Sequence, residues 1–370
     1  MSLAITPEQE ALRDTARRFL ASESPLERVR AVMDTPTAFD EELWRRMATE
    51  LGAAGLAVPE QFGGAGMGYQ EVSYLAEEAG RALAPSALLA TAGMAVPALM
   101  AGTQEARAAL LPSIADGSAI ATVAWPDLGS PGSTTAPAAR ADRGPSGWTV
   151  SGGFPHVLDG AAAAILLVPA EGPDGLTVFA VESGEPGVRV EPLPAFDQTR
   201  GLARVDLSDA PATPVSVPGG GSEVLAAVRA HADVVLAAEM VGGAQACLDM
   251  SVEYAKVREQ FGRPIGSFQA IKHKCAENQV EIEGARAMAR YAAWCAQAIP
   301  DAMEEPAAVA KATAAEAYFR AAGDNLQIHG GIGVTWEHDA HLYFKRAKAS
   351  LMLFGDVGAY QRRIADLIGI

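Results

Sequence analysis

The sequence predicts an α+β multi-domain chain: an N-terminal helical domain, a small central β-barrel or sandwich, and a C-terminal bundle of the four-helix type. Three observations predict it. Apolar residues recur at helical spacing over residues 1–118 and again over 223–370. Over 119–222, Gly, Pro, Ser and Thr punctuate short β-type runs instead. The segment Pro218-Gly219-Gly220-Gly221-Ser222 then breaks the chain before the long helices return.

The elements follow in order. Thr6-Pro7-Glu8-Gln9 reads as a capping box with proline at the first helical position, and Leu12, Ala16, Phe19 and Leu20 supply the apolar face. Asp40 can cap a second helix carrying Leu43, Trp44, Met47 and Leu51, which Gly52 can close. The Gly-rich turn 61–68 leads into a third helix over Glu71–Leu83. The β-type runs are Ala119–Ala124, Trp148–Ser151, Ala164–Val168, Leu176–Val181, Val188–Val190 and Ala203–Leu207, with Ser130–Ser146 reading as a loop. Helical patterns return over Glu223–Val257, Gln269–Ile299 and Ala307–His329, followed by a shorter pair at His338–Leu353 and Gly358–Ile368.

Composition bounds the function. The 370 residues carry 29 Lys+Arg against 45 Asp+Glu, a net charge of −16 that argues against a nucleic-acid-binding face. Local arginines can still build one positive pocket for an anionic ligand. The three cysteines, Cys247, Cys275 and Cys295, are too few and too scattered for a disulfide framework or a metal site, as expected of buried thiols in a reducing cytoplasm. The first residues lack the basic and apolar regions of a signal peptide. The longest apolar run, Ala161–Val168, is far shorter than the roughly 20 residues a membrane span needs.

Two stretches carry chemistry. Arg258-Glu259-Gln260-Phe261-Gly262-Arg263-Pro264-Ile265-Gly266-Ser267-Phe268-Gln269 joins two long helices. An arginine at a helix end matches phosphate oxygens bidentately. Phe261 and Phe268 offer flat apolar surface to a ring system, and Gly262 permits a tight turn. The same residues also suit a plain helix–helix turn with a solvated arginine. The second stretch, Gln327-Ile328-His329-Gly330-Gly331-Ile332-Gly333, lets backbone approach a ligand closely, and it equally suits a helix C-cap.

Together the two stretches resemble the acyl-CoA dehydrogenase family. The R-x-x-F-G-x-x-I-x-x-x-Q signature is matched at Arg258, Phe261, Gly262, Ile265 and Gln269, and Q-x-x-G-G-x-G at Gln327, Gly330, Gly331 and Gly333. Pro59-Glu60-Gln61-Phe62-Gly63-Gly64 is similar to the family's P-E-x-Y/F-G-G turn. The resemblance covers nearly the whole chain and implies FAD lying between the β domain and the C-terminal bundle. Arg258, Phe261, Phe268 and Gln269 would hold it, with Gln327, Gly330 and Gly331 reaching it from a neighbouring subunit. An oligomer is therefore implied, a dimer or tetramer.

The β domain departs from the family pattern. Where most members carry T-E-P-x-x-G-S-D, this chain has Ala124-Trp125-Pro126-Asp127-Leu128-Gly129-Ser130-Pro131, keeping Ser130 as a flavin contact. The W-I-T/S segment is replaced by His156-Val157-Leu158, where His156 can stack on the flavin and Leu158 offers no hydroxyl.

The reaction implied removes a proton from Cα of an acyl thioester while the flavin takes a hydride from Cβ. A carboxylate desolvated beside substrate suits the proton. The Y-E-G-T segment that often supplies it is Leu353-Phe354-Gly355-Asp356 here. Counting back from Arg362 or Arg363 places the base at Gly355 or Asp356. Asp356 is the first candidate, and it reads equally as the N-cap of the following helix. The position other members use falls near Ala232. Glu239, two turns on in an apolar stretch, is the alternative base, with a structural ion pair the favoured reading of that residue.

The expected function is α,β-dehydrogenation of an acyl-CoA to the trans-2-enoyl-CoA, with electrons passed to an electron-transferring flavoprotein. The alternative is a non-catalytic or half-site subunit that stabilises a paralogous subunit, resembling actinobacterial members built from two unlike chains. An acyl-CoA oxidase is disfavoured by the short length.

Overall fold

The computed structural model describes residues 5–126, 128, 139–145 and 147–370. The chain is helical at both ends with a β-rich middle, as the sequence predicts. Its two compact units do not follow chain order. One comprises the chain up to Val29, Ser73–Ala84 and Val234–Ile370, and the other Arg30–Val72 and Pro85–Asp233.

The unit holding the sheet begins with helix α2 (Leu26–Met33) running into it, then α3 (Glu41–Leu51). Asp40 accepts from the Leu43 amide at 2.9 Å, and Gly52 closes α3 with a left-handed φ of 66°. Leu43, Trp44 and Met47 bury the apolar face. Helices α5 (Val96–Met100) and α6 (Gln104–Ala115) follow a π-helical stretch over Leu89–Ala95 in which every residue is buried. Tyr69 donates to the Ala92 carbonyl within that stretch at 3.1 Å.

Among the described residues seven strands form the sheet: β1 (Ala121–Val123), β2 (Ala139–Gly144), β3 (Gly147–Leu158), β4 (Ile165–Gly172), β5 (Gly175–Glu182), β6 (Val188–Pro192) and β7 (Leu202–Pro214). Pairings run β4-β2-β3-β7-β5 and return from β5 to β4, so five strands close into a barrel. Strand β1 adds to β4 in parallel, and β6 pairs with β7. Inward residues such as Val150, Phe154, Val168, Phe179 and Val205 are fully buried and fill the interior. The region 130–146, read from sequence as a loop, contains strand β2. Ala139 and Ala141 alternate inward against β3, and pairing rather than intrinsic β-propensity makes this Ala-Arg-Ala-Asp segment a strand. Residues 130–138 and Ser146 of that expected loop lie outside the described residues.

The other unit is helical. Helix α1 (Pro7–Glu23) starts with the expected capping box, Thr6 and Gln9 satisfying each other's backbone amides. Helix α4 (Tyr69–Arg81) enters this unit at Ser73. The 37-residue helix α7 (Gly221–Val257) enters at Val234, and α8 (Gln269–Ala298) and α9 (Glu304–His329) complete the long set. Helices α10 (Ala340–Met352) and α11 (Val357–Ile368) pack on α9. Ala307, Ala310, Ala314, Ala317 and Ala321 line the buried face of α9, so its neighbours approach closely. The crossing of α4 and α7 is tight. A Cβ on Gly242 would stand 1.7 Å from the Glu77 carbonyl oxygen, and one on Gly80 1.9 Å from that of Glu239. Among the described residues no helix is long and apolar enough to cross a membrane.

Candidate functional site

One end of the helical unit gathers most of the residues that the sequence singles out. Helix α7 ends at Val257, and the chain turns through a two-stranded hairpin, β8 (Glu259–Gln260) and β9 (Arg263–Pro264). Phe261 and Gly262 occupy its tip with φ of 56° and 75°. Both are left-handed, as a tight hairpin of this hand requires. Glycine adopts that conformation freely, whereas a phenylalanine there is strained. Phe261 is 92 % exposed. Its edge faces Phe268 with ring centroids 6.1 Å apart, and the Arg263 guanidinium lies 4.2 Å over the Phe268 ring.

Helix α8 begins at Gln269, which is exposed, and Phe268 stands at its N-cap without a side-chain cap bond. The free amides of that first turn favour negative charge. Arg258 is exposed at the end of α7 beside it in sequence. Ser267 contributes something that sequence reasoning missed. Its hydroxyl oxygen is buried and has no hydrogen-bond partner among the described residues. Buried hydroxyls are normally satisfied, so a polar ligand group would complete this one.

The glycine turn sits at the same end. Helix α9 stops at His329, and Gly330 takes a φ of 63°. A Cβ added at Gly330 or Gly331 would meet nothing within 4 Å, so the backbone here is open to an approaching group. Gln327 is exposed one turn earlier.

Specific contacts bring the hairpin and the glycine turn together. The Tyr254 ring stacks on His329 with centroids 4.2 Å apart, one turn before Arg258 and immediately before Gly330. The Ser251 hydroxyl donates to Asn325 Oδ1 at 2.9 Å. Lys274 and Asn278 of α8 both bond Asp324 of α9. Burial, with His338 close by, lowers the pKa of His329, while its Nδ1 bonds the Asn325 carbonyl at 2.9 Å. Tyr254 and His329 were not singled out from sequence; the only available signal was that His329 lies inside the glycine stretch and Tyr254 one turn before Arg258.

The carboxylates occupy different settings. Asp356 is half-buried and is the N-cap of α11, its Oδ1 accepting from the Ala359 amide at 2.8 Å. Glu239 accepts from Arg346 at 2.9 Å, with side-chain exposures of 12 % and 4 %. The ion pair expected for Glu239 is thus present. Ala232, near the position other members use, is fully buried.

In the sheet-bearing unit, His156 is exposed on β3, beside an irregularity in the pairing with β7 between Phe154 and Val157. Leu158 is 1 % exposed, and its carbonyl accepts from the Thr122 hydroxyl at 2.7 Å. Ser130 lies outside the described residues.

A helical–β–helical chain with an exposed arginine–phenylalanine hairpin and an open glycine turn at one end of its bundle defines the architecture of a flavin-dependent acyl-thioester dehydrogenase. Two family models match: the acyl-CoA dehydrogenase N-terminal domain over residues 6–118 and the acyl-CoA dehydrogenase C-terminal domain over 219–366. Acyl-CoA dehydrogenase IpdE2 of Mycobacterium tuberculosis is 37 % identical over 362 residues, covering 96 % of each chain. Among solved structures, a steroid ACAD variant, Tcur3481-Tcur3483, superposes with a TM-score of 0.88 at 35 % identity over 98 % of both chains. The ChsE4-ChsE5 complex from Mycobacterium tuberculosis matches at a TM-score of 0.89 and 30 % identity, covering 100 % of this chain and 99 % of that one. The chain belongs to the acyl-CoA dehydrogenase family, enzymes that use FAD.

The hairpin and turn fit that cofactor. They present a guanidinium, an exposed ring, open glycine backbone and an unsatisfied buried hydroxyl, which are the partners a pyrophosphate and a ring system need.

Proposed function

We propose that the chain is a subunit of an enzyme that converts an acyl-CoA thioester to its trans-2-enoyl-CoA and hands the electrons to an electron-transferring flavoprotein. The carrying observation is the outward display of Arg258, Phe261 and the Gly330–Gly331 backbone at one end of the bundle. Such a display serves a cofactor shared with a neighbouring chain. Arg258, Phe261, Phe268 and Gln269 would hold FAD from one side, and Gln327, Gly330 and Gly331 from another. Bound FAD supplies the two-electron acceptor for the hydride that leaves Cβ.

The chain's own residues supply the rest. Asp356 takes the Cα proton onto its carboxylate, which the Ala359 amide fixes from behind through Oδ1. Glu239, held by Arg346, keeps a structural role. His156, exposed on β3, and Ser130 are the proposed flavin contacts of the β domain.

The neighbouring chain is proposed to be a paralogous, unlike subunit in a cytoplasmic enzyme. Support comes from the similarity to the ChsE4-ChsE5 complex and from Leu158, which carries no hydroxyl where the family pattern places one. A bulky acyl group of the steroid type fits the similarity to the Tcur3481-Tcur3483 steroid ACAD. The same Leu158 observation favours, as a second reading, a chain that completes a partner's flavin site without doing chemistry itself.

Anaerobic mixing with a panel of acyl-CoA thioesters decides between them. Bleaching of the flavin band by the chain, alone or with its paralogue, supports dehydrogenation, provided D356N in this chain slows it. Bleaching untouched by D356N in the mixed complex gives the chemistry to the partner.

A further inference from the structure

Lys311 is fully buried on α9. Its ammonium donates to the carbonyl of Leu351 at 2.9 Å and to that of Gly355 at 2.7 Å, and stands 4.1 Å from the centroid of the Tyr360 ring. These contacts fall on three consecutive pieces of chain. Leu351 is in the last turn of α10, where helix carbonyls lack intrahelical donors. Gly355 closes the turn between the helices, and Tyr360 is in the first turns of α11.

That turn runs through two residues of unusual backbone conformation. Phe354 and Gly355 both take positive φ, 60° and 118°, and the first of these is a strained conformation for a bulky side chain. The Gly355 amide bonds Met352 O at 3.1 Å, but the Gly355 carbonyl points at Lys311. Asp356 follows directly, gripped on its far side by the Ala359 amide. A lysine buried in an apolar bundle costs desolvation free energy, which its carbonyl partners and the ring face help to offset.

We infer that Lys311 is a positioning residue for the proton-accepting carboxylate: it pins the Leu353–Asp356 turn to α9 and so sets where Asp356 points. This rests on the reading of Asp356 as the base. Positioning matters at this scale, because a displacement of about 1 Å can cost on the order of 100-fold in rate.

The test uses K311M, K311R and D356N in the full chain, within its active assembly. K311M is expected to lower kcat at least about tenfold while KM and FAD content stay close to wild type. Deuterium uptake over residues 353–360 should accelerate. K311R keeps the charge but replaces one tetrahedral nitrogen by a planar fork, so partial recovery of kcat is expected. Should K311M yield no folded enzyme, K311R carries the same measurements. Wild-type kcat in K311M alongside an inactive D356N overturns the inference, as does unchanged deuterium uptake in the turn. A fully active D356N sinks the base assignment instead; faster uptake in K311M then still upholds the anchoring, and unchanged uptake overturns it.

Discussion

Glu239 and Arg346 form an ion pair inside the helical unit, joining α7 to α10 across 107 residues of sequence at 2.9 Å. Neither charge has water enough to stand alone: their side chains are 12 % and 4 % exposed. Removing one partner of such a pair leaves the other charged and desolvated, at a cost of about 3–5 kcal/mol. E239A should therefore lose stability of that order in chemical denaturation. The residual folded holoenzyme should keep its kcat. A large fall in kcat with stability preserved would return Glu239 to the list of bases.

Asp356 poses a question of overlapping roles, and one substitution separates them. Asparagine is as good an N-cap as aspartate, so D356N should keep the bond to the Ala359 amide and change stability by less than about 0.5 kcal/mol. Alanine forfeits the cap and should cost about 1 kcal/mol. Both remove the proton acceptor, and loss of a general base typically costs about 100-fold to 10,000-fold in rate. Equal falls in kcat for D356N and D356A, with only D356A destabilised, identify the base.

Legibility in the sequence followed the range of the interaction. Caps are local, so Thr6, Asp40 and Asp356 were all readable as helix starts, and the structure has each bonded to its own first turn. The tight turn at Gly262 and the glycine turn at Gly330 were readable because their positive φ values favour glycine; the two-stranded hairpin around the first was not. Nor was strand β2, since its Ala-Arg-Ala-Asp segment becomes a strand only against β3. The partner of Glu239 was hidden for the same reason. Lys311 is a cation in an alanine-rich helix, and nothing local says that two carbonyls some 40 residues away receive it.

The crossing of α4 and α7 shows a further limit. A glycine within a helix costs roughly 1 kcal/mol against alanine, so on propensity alone G242A should stabilise α7. The structure reverses the sign. A Cβ there would lie 1.7 Å from the Glu77 carbonyl oxygen and 2.9 Å from the Arg81 amide nitrogen, and backbone cannot swing aside. Overpacking of this kind costs about 1–3 kcal/mol or more. Denaturation of G242A beside G284A, a helical glycine with open space around it, should give opposite signs.

Phe261 trades stability for a surface. Its φ of 56° is a conformation that costs a non-glycine residue roughly 1–2 kcal/mol, and the residue is left 92 % exposed. F261N and F261G should therefore stabilise the isolated chain, by up to about 1 kcal/mol. Both should weaken FAD retention and subunit association, measured by flavin content after gel filtration and by mass photometry. Stabilisation without any loss of flavin or association would leave the strained ring without a purpose.

His329 makes the joint between hairpin and glycine turn sensitive to acid. Burial, reinforced by nearby His338, holds its folded pKa below the ordinary histidine value. The unfolded chain thus binds the proton more readily than the folded one. The sign follows directly: the stabilisation is fully present above the ordinary histidine pKa of about 6.5 and is lost as pH falls through the lowered folded value. Protonation would also set a positive charge against His338, whose ring lies 4.3 Å away. H329F keeps a flat ring against Tyr254 and removes the titration. Its stability and flavin content should decline less between pH 7 and pH 5 than those of the wild-type chain, the remainder coming from buried His231, whose pKa is also lowered by desolvation. A wild-type profile that is flat over that range, or an H329F profile that declines as steeply as the wild type, would place the acid sensitivity elsewhere.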